Sequence, residues 1–508
     1  MDSEKQQPLL SSGDTCRNDY TNLKQLPLTL NGDVEIKGVG DFCREFYVEF
    51  KRLWYLAGPV IFTSLCQYTI GATTQLFAGQ LGTIQLAATS VENSIIAGFS
   101  YSILYGMGGA LETLCGQAYG RGNIEMLGIY LQRAWILFNT AAVVLIFTYI
   151  FGVSILHLLG QTATIATAAG SFAIRMIPQL FAYATVIPII KFLQAQSIIL
   201  PMALIAVVAA VTHVVLSWLF MMKLGWGLTG AAMVLDGSWW FITLAHFAYV
   251  LMGWCGPAWS GFSWKAFNNL TGFLHVSFTS AVMFCLGTWY TMSLVLFAGY
   301  FENPEISVDA LSVCFNILGW VGTVSTGLNV AVSVRVSNEL GYGRPRTAQL
   351  AVIVVVVTSL LIGLLSTTLL LVYKKQYPIY FTTSQEVIQL VEELTLLLGG
   401  STIVTSMQNV LSGVAIGAGW QTSVAYLNIV SYIGLGIPLG LLLGFKFDMG
   451  VKGIWYGMVS GASTQCCLLL MMVWRTNWNN EVNFAEDRIK QWGGTDIRGK
   501  ADDEERTS

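Results

Sequence analysis

The chain has 508 residues, of which 54% are hydrophobic and 11% charged, and its mean hydropathy is +0.61. A water-soluble domain does not reach these values, so the sequence reads as a membrane protein. Its net charge of −3, with no basic stripe, excludes nucleic acid as a partner. The two ends, 1–50 and 475–508, hold just over half of all the charged side chains, so the long stretch between them is poor in charge.

The N-terminal end is polar and lacks an apolar stretch behind a basic start, so no cleavable signal peptide is expected, and the first membrane helix would carry the targeting information. After it, charged, Gly/Pro or polar breaks divide the chain into twelve apolar runs of a length that crosses a bilayer as a helix. They lie near Leu53–Ala78, Ala87–Leu111, Leu127–Ile150, Ala163–Ile190, Ile198–Met222, Leu228–Gly253, Thr271–Gly299, Val308–Val334, Thr347–Tyr373, Val387–Val414, Ser423–Phe445 and Gly453–Trp474. None shows the short apolar/polar alternation of an outer-membrane barrel. Nine cysteines mostly fall inside these runs, show no metal-binding spacing with the four histidines, and read as small buried hydrophobes; no metal or cofactor is expected.

Cationic residues orient the array. Arg44, Lys51, Arg52, Arg121, Arg133, Lys191, Lys265, Arg335, Arg344, Arg346 and Arg475 fall on one side, against Lys223, Lys374, Lys375, Lys446 and Lys452 on the other. The bias places both termini in the cytosol. A glycan on Asn269, in Asn269-Leu-Thr271, would contradict that orientation.

An internal repeat runs through the chain. Gly106-Met-Gly-Gly-Ala110 returns as Gly327-Leu-Asn-Val-Ala331, and Gln117-Ala-Tyr-Gly-Arg-Gly122 returns as Asn338-Glu-Leu-Gly-Tyr-Gly343, both at the same offset. Each repeat then holds six spans, inserted in the same sense and related by an axis along the membrane normal. The expected fold is an all-α integral membrane protein with twelve transmembrane helices in two pseudo-symmetric six-helix lobes. The expected divisions are a cytosolic tail (1–50), a first lobe (51–253), a linker lying along the membrane interface (254–270), a second lobe (271–474) and a second cytosolic tail (475–508). Two like lobes around a cleft is a transporter architecture. No nucleotide loop and no hydrolase or metalloprotease motif is present, so no enzyme activity is expected.

Charged groups inside a bilayer are costly and mark candidate sites. Asp236 stands eight residues into the sixth run, about 12 Å deep at 1.5 Å per residue, where a carboxyl can take up and release a proton near neutral pH; the alternative is a helix-pairing hydrogen bond. His213, mid-span in the fifth run, is its candidate partner, against an ordinary packing role. Glu112 is expected to organise a cytosolic gate with Gln117, Arg335, Asn338 and Glu339. Arg133, Arg175 and Lys191 read as structural. Trp239, Trp289 and Tyr290, with Gln194 and Gln408, are candidates for a cleft wall on which a flat or cationic solute can stack; core or lipid packing is the alternative for each aromatic.

Five motifs stand in register along the chain: Leu111-Glu-Thr-Leu-Cys-Gly-Gln-Ala-Tyr-Gly120, Lys191-Phe-Leu-Gln-Ala-Gln196, Val332-Ser-Val-Arg-Val-Ser-Asn-Glu-Leu-Gly341, Gly413-Val-Ala-Ile-Gly-Ala-Gly-Trp-Gln421 and Thr476-Asn-Trp-Asn-Asn-Glu481. Together they resemble the multidrug and toxic compound extrusion (MATE) family, in its plant DETOXIFICATION branch, from about residue 45 to 494. The resemblance implies a secondary-active efflux transporter that exchanges protons for organic cations or plant secondary metabolites such as flavonoid glycosides, with the bilayer, protons and a small organic solute as partners, in the vacuolar or plasma membrane. It also implies a glutamate on the seventh span and an aspartate on the tenth. This chain has Gly287 and Thr405 there. Coupling is then expected at Asp236 with His213, and secondarily at Asp309, which matches an acidic position of the family. The rival expectations are an uncoupled facilitator and a non-transporting scaffold or sensor on the same fold.

Overall fold

The computed structural model describes residues 33–298, 304–382 and 384–493, and every regular element among them is helical. Apolar runs of this length take that form because a helix satisfies its own backbone, which lipid cannot do. The principal helices are α1 (Val39–Leu81), α2 (Thr83–Arg121), α3 (Ile124–Ile150), α4 (Gly152–Leu158), α5 (Ala163–Arg175), α6 (Ile177–Ala195), α7 (Leu200–Lys223) and α8 (Gly227–Leu251) in the first half. The second half holds α9 (Leu270–Ala298), α10 (Pro304–Tyr342), α11 (Pro345–Val372), α12 (Gln385–Ala418), α13 (Gln421–Lys446), α14 (Gly450–Arg475) and α15 (Trp478–Gln491).

Eleven of the helical segments among the described residues are long and apolar enough to cross a membrane. The expected first span lies within α1, which is 43 residues long and mixes polar side chains with apolar ones. The expected fourth span is two helices: α5 stops at Met176, and α6 begins with Pro178 in its first turn, where a missing N–H costs nothing. The linker forms two short 3₁₀ turns, Gly256–Ala258 and Trp264–Phe267. Where a polar tail is expected after residue 474, the chain folds into α15, which starts at Asn477 with a side-chain cap on the Asn479 amide.

The buried apolar residues form three clusters. The first draws on α2 to α8 and includes Tyr130, Phe138, Phe172 and Phe192. The second joins the inner turns of α1 (Leu53, Leu56, Ala57, Val60) to α10, α11 and α12. The third holds Tyr290, Leu311, Tyr432 and Trp455 at the far end of the second half. Helix α1 thus packs its inner end on the second half of the chain.

The two halves meet tightly at one end of the bundle, and the repeat explains how. Gly120 and Gly341, equivalent positions of the two repeats, face each other: a methyl group on Gly120 would overlap the Asn338 carbonyl and stand 2.9 Å from the Gly341 Cα, and one on Gly341 would stand 3.0 Å from the Gly120 Cα. Only glycine permits that approach. Gln117 and Asn338, a second equivalent pair, each donate across the seam, to the Gly417 carbonyl at 3.2 Å and the Ala195 carbonyl at 3.2 Å.

Candidate functional site

Two cavities lie between the halves, one of about 590 Å³ and one of about 510 Å³. The larger is lined by α2, α9, α10, α12, α13 and α14, with Tyr105, Phe284, Tyr290, Phe315 and Tyr432 among its walls. The smaller is lined by α1, α2, α6 and α8 of the first half, with Gln67, Tyr101, Tyr183, Gln194 and Trp239, and by α9 and α10 of the second. Tyr105, Lys191, Phe284 and Thr326 belong to both, so the two spaces adjoin. Aromatic walls with a few polar groups suit an amphipathic solute of drug size.

The expected wall residues separate on inspection. Tyr290 stacks on Tyr432 with ring centres 4.4 Å apart and donates to the Gly457 and Met458 carbonyls. Gln408 donates to the Tyr432 hydroxyl in the same cavity. Trp239 stands edge-on to Tyr183 at 4.6 Å. Gln194 lines the smaller cavity with its side-chain oxygen buried and without a partner. Trp289 does not line either described cavity; it stacks on Phe99 with ring centres 5.8 Å apart. Asp309 is exposed near the start of α10.

The expected gate residues form the closed end. Arg335 donates to both oxygens of Glu49, at 2.7 and 3.0 Å, and lies 2.8 Å from Glu339. Arg52 and Arg344 flank this buried network. Glu49, which is 2% exposed, ties α1 to α10 and escapes the sequence reading because it stands in the polar N-terminal stretch. Helix α15 braces the same end: Arg488 donates to Gln117 at 3.2 Å, Glu481 accepts from the Trp420 indole at 3.0 Å, and Glu486 lies 3.0 Å from Arg121. Glu112 lies higher, at the floor of the larger cavity, paired with Lys191.

His213 and Asp236 are not joined. The His213 ring nitrogens meet Thr74 of α1 at 3.0 Å and Ser238 of α8 at 2.8 Å, so the imidazole is a three-helix tie. Replacing His213 by Ala is expected to lower the melting temperature by several degrees, as for loss of a buried hydrogen-bonded group, and to leave the pH profile of transport in place; both are read on the purified protein and in vesicles.

Asp236 has a different neighbour. Glu92, 1% exposed on α2, is the acid whose surroundings it shares. Each carries one buried oxygen without a hydrogen-bond partner. Glu92 opens a π-helical turn, Glu92–Ala97, one of four such segments among the described residues, a local widening frequent at functional positions. Asn93 and Leu235, chain neighbours of the two acids, line a third space of about 200 Å³, with Gln179, Tyr183 and Trp239. Glu92 is a charged residue inside an apolar run, the same signal that picks out Asp236, but it stands near the end of its run, where a carboxylate reads as reaching water.

A family model named MatE matches the chain twice, over residues 59–219 and 280–442. The two matches are offset by the spacing of the repeated motifs. This chain belongs to the MatE family. Protein DETOXIFICATION 29 of Arabidopsis thaliana is 56% identical over 459 residues, covering 90% of this chain and 92% of that protein. Protein DETOXIFICATION 30 of the same plant is 55% identical over 470 residues, covering 92% and 94%. The crystal structure of a eukaryotic MATE transporter, AtDTX14, superposes with a TM-score of 0.84 at 33% identity, over 88% of this chain and 100% of that one. A Vibrio cholerae MATE transporter, VcmN in its bent form, shares the fold with a TM-score of 0.75 at 18% identity, over 87% of this chain and 99% of that one. The protein is therefore a multi-pass membrane transporter of the MATE family and not an enzyme. In this MATE protein Gly287 and Thr405 both line the larger cavity, and neither supplies a carboxylate.

Proposed function

We propose that the protein is a secondary-active efflux transporter that exchanges protons for organic cations or plant secondary metabolites such as flavonoid glycosides. Two lobes of six spans each would rock about the seam, with both termini in the cytosol, in the vacuolar or plasma membrane. The observation that carries the proton half is the Glu92–Asp236 pair. Two acids placed around one small space disfavour both being charged at once, so such a pair can bind and release a proton as its surroundings change. Its position beside Tyr183 and Trp239, which wall the smaller cavity, supports an effect of that proton on the cargo space. Neutral Gly287 and Thr405 favour one rival, an uncoupled facilitator. Uptake of an organic cation and of a flavonoid glucoside into proteoliposomes separates the two: flux that follows an imposed pH gradient, and stops when the gradient is collapsed, is the result expected for exchange, and flux indifferent to the gradient is the facilitator's.

A further inference from the structure

Lys191 and Glu112 meet at the floor of the larger cavity, the lysine nitrogen 2.5 Å from one carboxylate oxygen. The pair is 3% and 0% exposed. The other oxygen of Glu112 is buried without a partner, an expensive arrangement unless something else meets it during the working cycle. Lys191 also sits over the Tyr105 ring, 4.8 Å from its centre, and lines both cavities. Its four-carbon stem can therefore swing toward the smaller cavity and leave Glu112 to the larger one.

From this geometry we infer that Glu112 is the receptor for the positive charge of a flat aromatic cargo, and that Lys191 is the internal cation which holds the carboxylate when no cargo is bound. The inference rests on the transport reading above and gives it a site. Each part has a stated chemistry. The carboxylate supplies a single negative charge where water is excluded, which strengthens its attraction for a cation. Tyr105, which already carries a cation on its face, and Tyr432 and Phe284 on the walls supply aromatic surfaces for a delocalised positive charge. Displacement of Lys191 sets the affinity, because cargo must compete with a tethered ammonium.

Equilibrium binding of N-methylquinolinium, with neutral 1-methyl-2-quinolone as its counterpart of like shape, tests this on the full-length purified protein. Glu112→Gln is expected to weaken the cation by roughly tenfold or more, the scale of one lost charge-assisted contact, and to leave the quinolone unchanged. Lys191→Gln is expected to tighten the cation. The double variant Glu112→Gln/Lys191→Gln leaves no lone buried charge, and it should fold and bind the cation as weakly as Glu112→Gln. Wild-type affinity for the cation in the double variant overturns the proposal, and so does a wild-type protein that binds the two probes alike. Cation binding that depends on Glu112, without flux driven by a pH gradient, would leave this site standing and remove the exchange reading instead.

Discussion

Asp236→Asn and Glu92→Gln are each expected to cut pH-gradient-driven uptake in proteoliposomes by roughly tenfold or more, and the double variant to do little further harm, because residues that act as one unit are not additive. The reason is geometric. The two acids stand on α8 and α2, each with a buried oxygen that nothing in the described chain satisfies, and their chain neighbours Leu235 and Asn93 line one small space. A carboxamide in either place has the shape of the acid but cannot exchange the proton. Loss of transport with cargo binding intact is the signature of uncoupling; undiminished gradient-driven uptake in Asp236→Asn sinks the assignment of the coupling site. A purely structural role predicts instead that both variants lose stability and binding together.

A second large effect is expected from Gly120→Val. The seam closes only because Gly120 and Gly341 bring their backbones into contact, and any Cβ at Gly120 meets the Asn338 carbonyl. Packed interfaces do not yield by small amounts; they switch to another arrangement. The variant should fold, hold the seam apart, and transport at roughly a tenth of the wild-type rate or less, since a transporter that cannot close one end cannot complete a cycle. A cysteine placed at Ser337, whose hydroxyl abuts Gly116, reports the change directly. It should be protected from a water-soluble thiol reagent in the wild-type background and labelled in Gly120→Val, and protection in both would remove the seam from the transport cycle.

Much of this is legible in the sequence, and the reasons differ by element. The all-helical membrane fold follows from hydropathy and run length alone, since few structures satisfy a backbone in lipid. The repeat is visible as two pairs of motifs at one offset, and the structure gives it a physical meaning in the contact of Gly120 with Gly341 and the paired reaches of Gln117 and Asn338. Asp236 stands out by the rule that a buried charge needs a purpose. Its partner does not: His213 is the histidine in the middle of the preceding run, but Asp236 and Ser238 point to different sides of α8, and the imidazole follows Ser238. Helical phase across neighbouring helices decides such pairs, and one sequence does not contain it.

Lys191 reads as structural in the sequence because a lysine near a span end usually reaches for water. The structure holds it on Glu112 and Tyr105 instead, since the glycine at 108 leaves its methylenes room against α2. Helix α15 is hidden for another reason. Its charged residues give it the composition of a tail, and only the contacts of Arg488, Glu481 and Glu486 with the ends of α2 and α12 turn it into part of the closed end.

The proposed exchange couples cargo movement to protons held by Glu92 and Asp236 rather than by the second half of the chain. Its most direct test is to count protons: vesicles loaded with a pH-sensitive dye, reconstituted with wild type or Asp236→Asn, are given cargo from outside without an imposed gradient. Cargo should move protons out of the wild-type vesicles as it enters and move none through the variant. Cargo entry in the wild type with no proton signal, or an equal signal in both, would contradict the account.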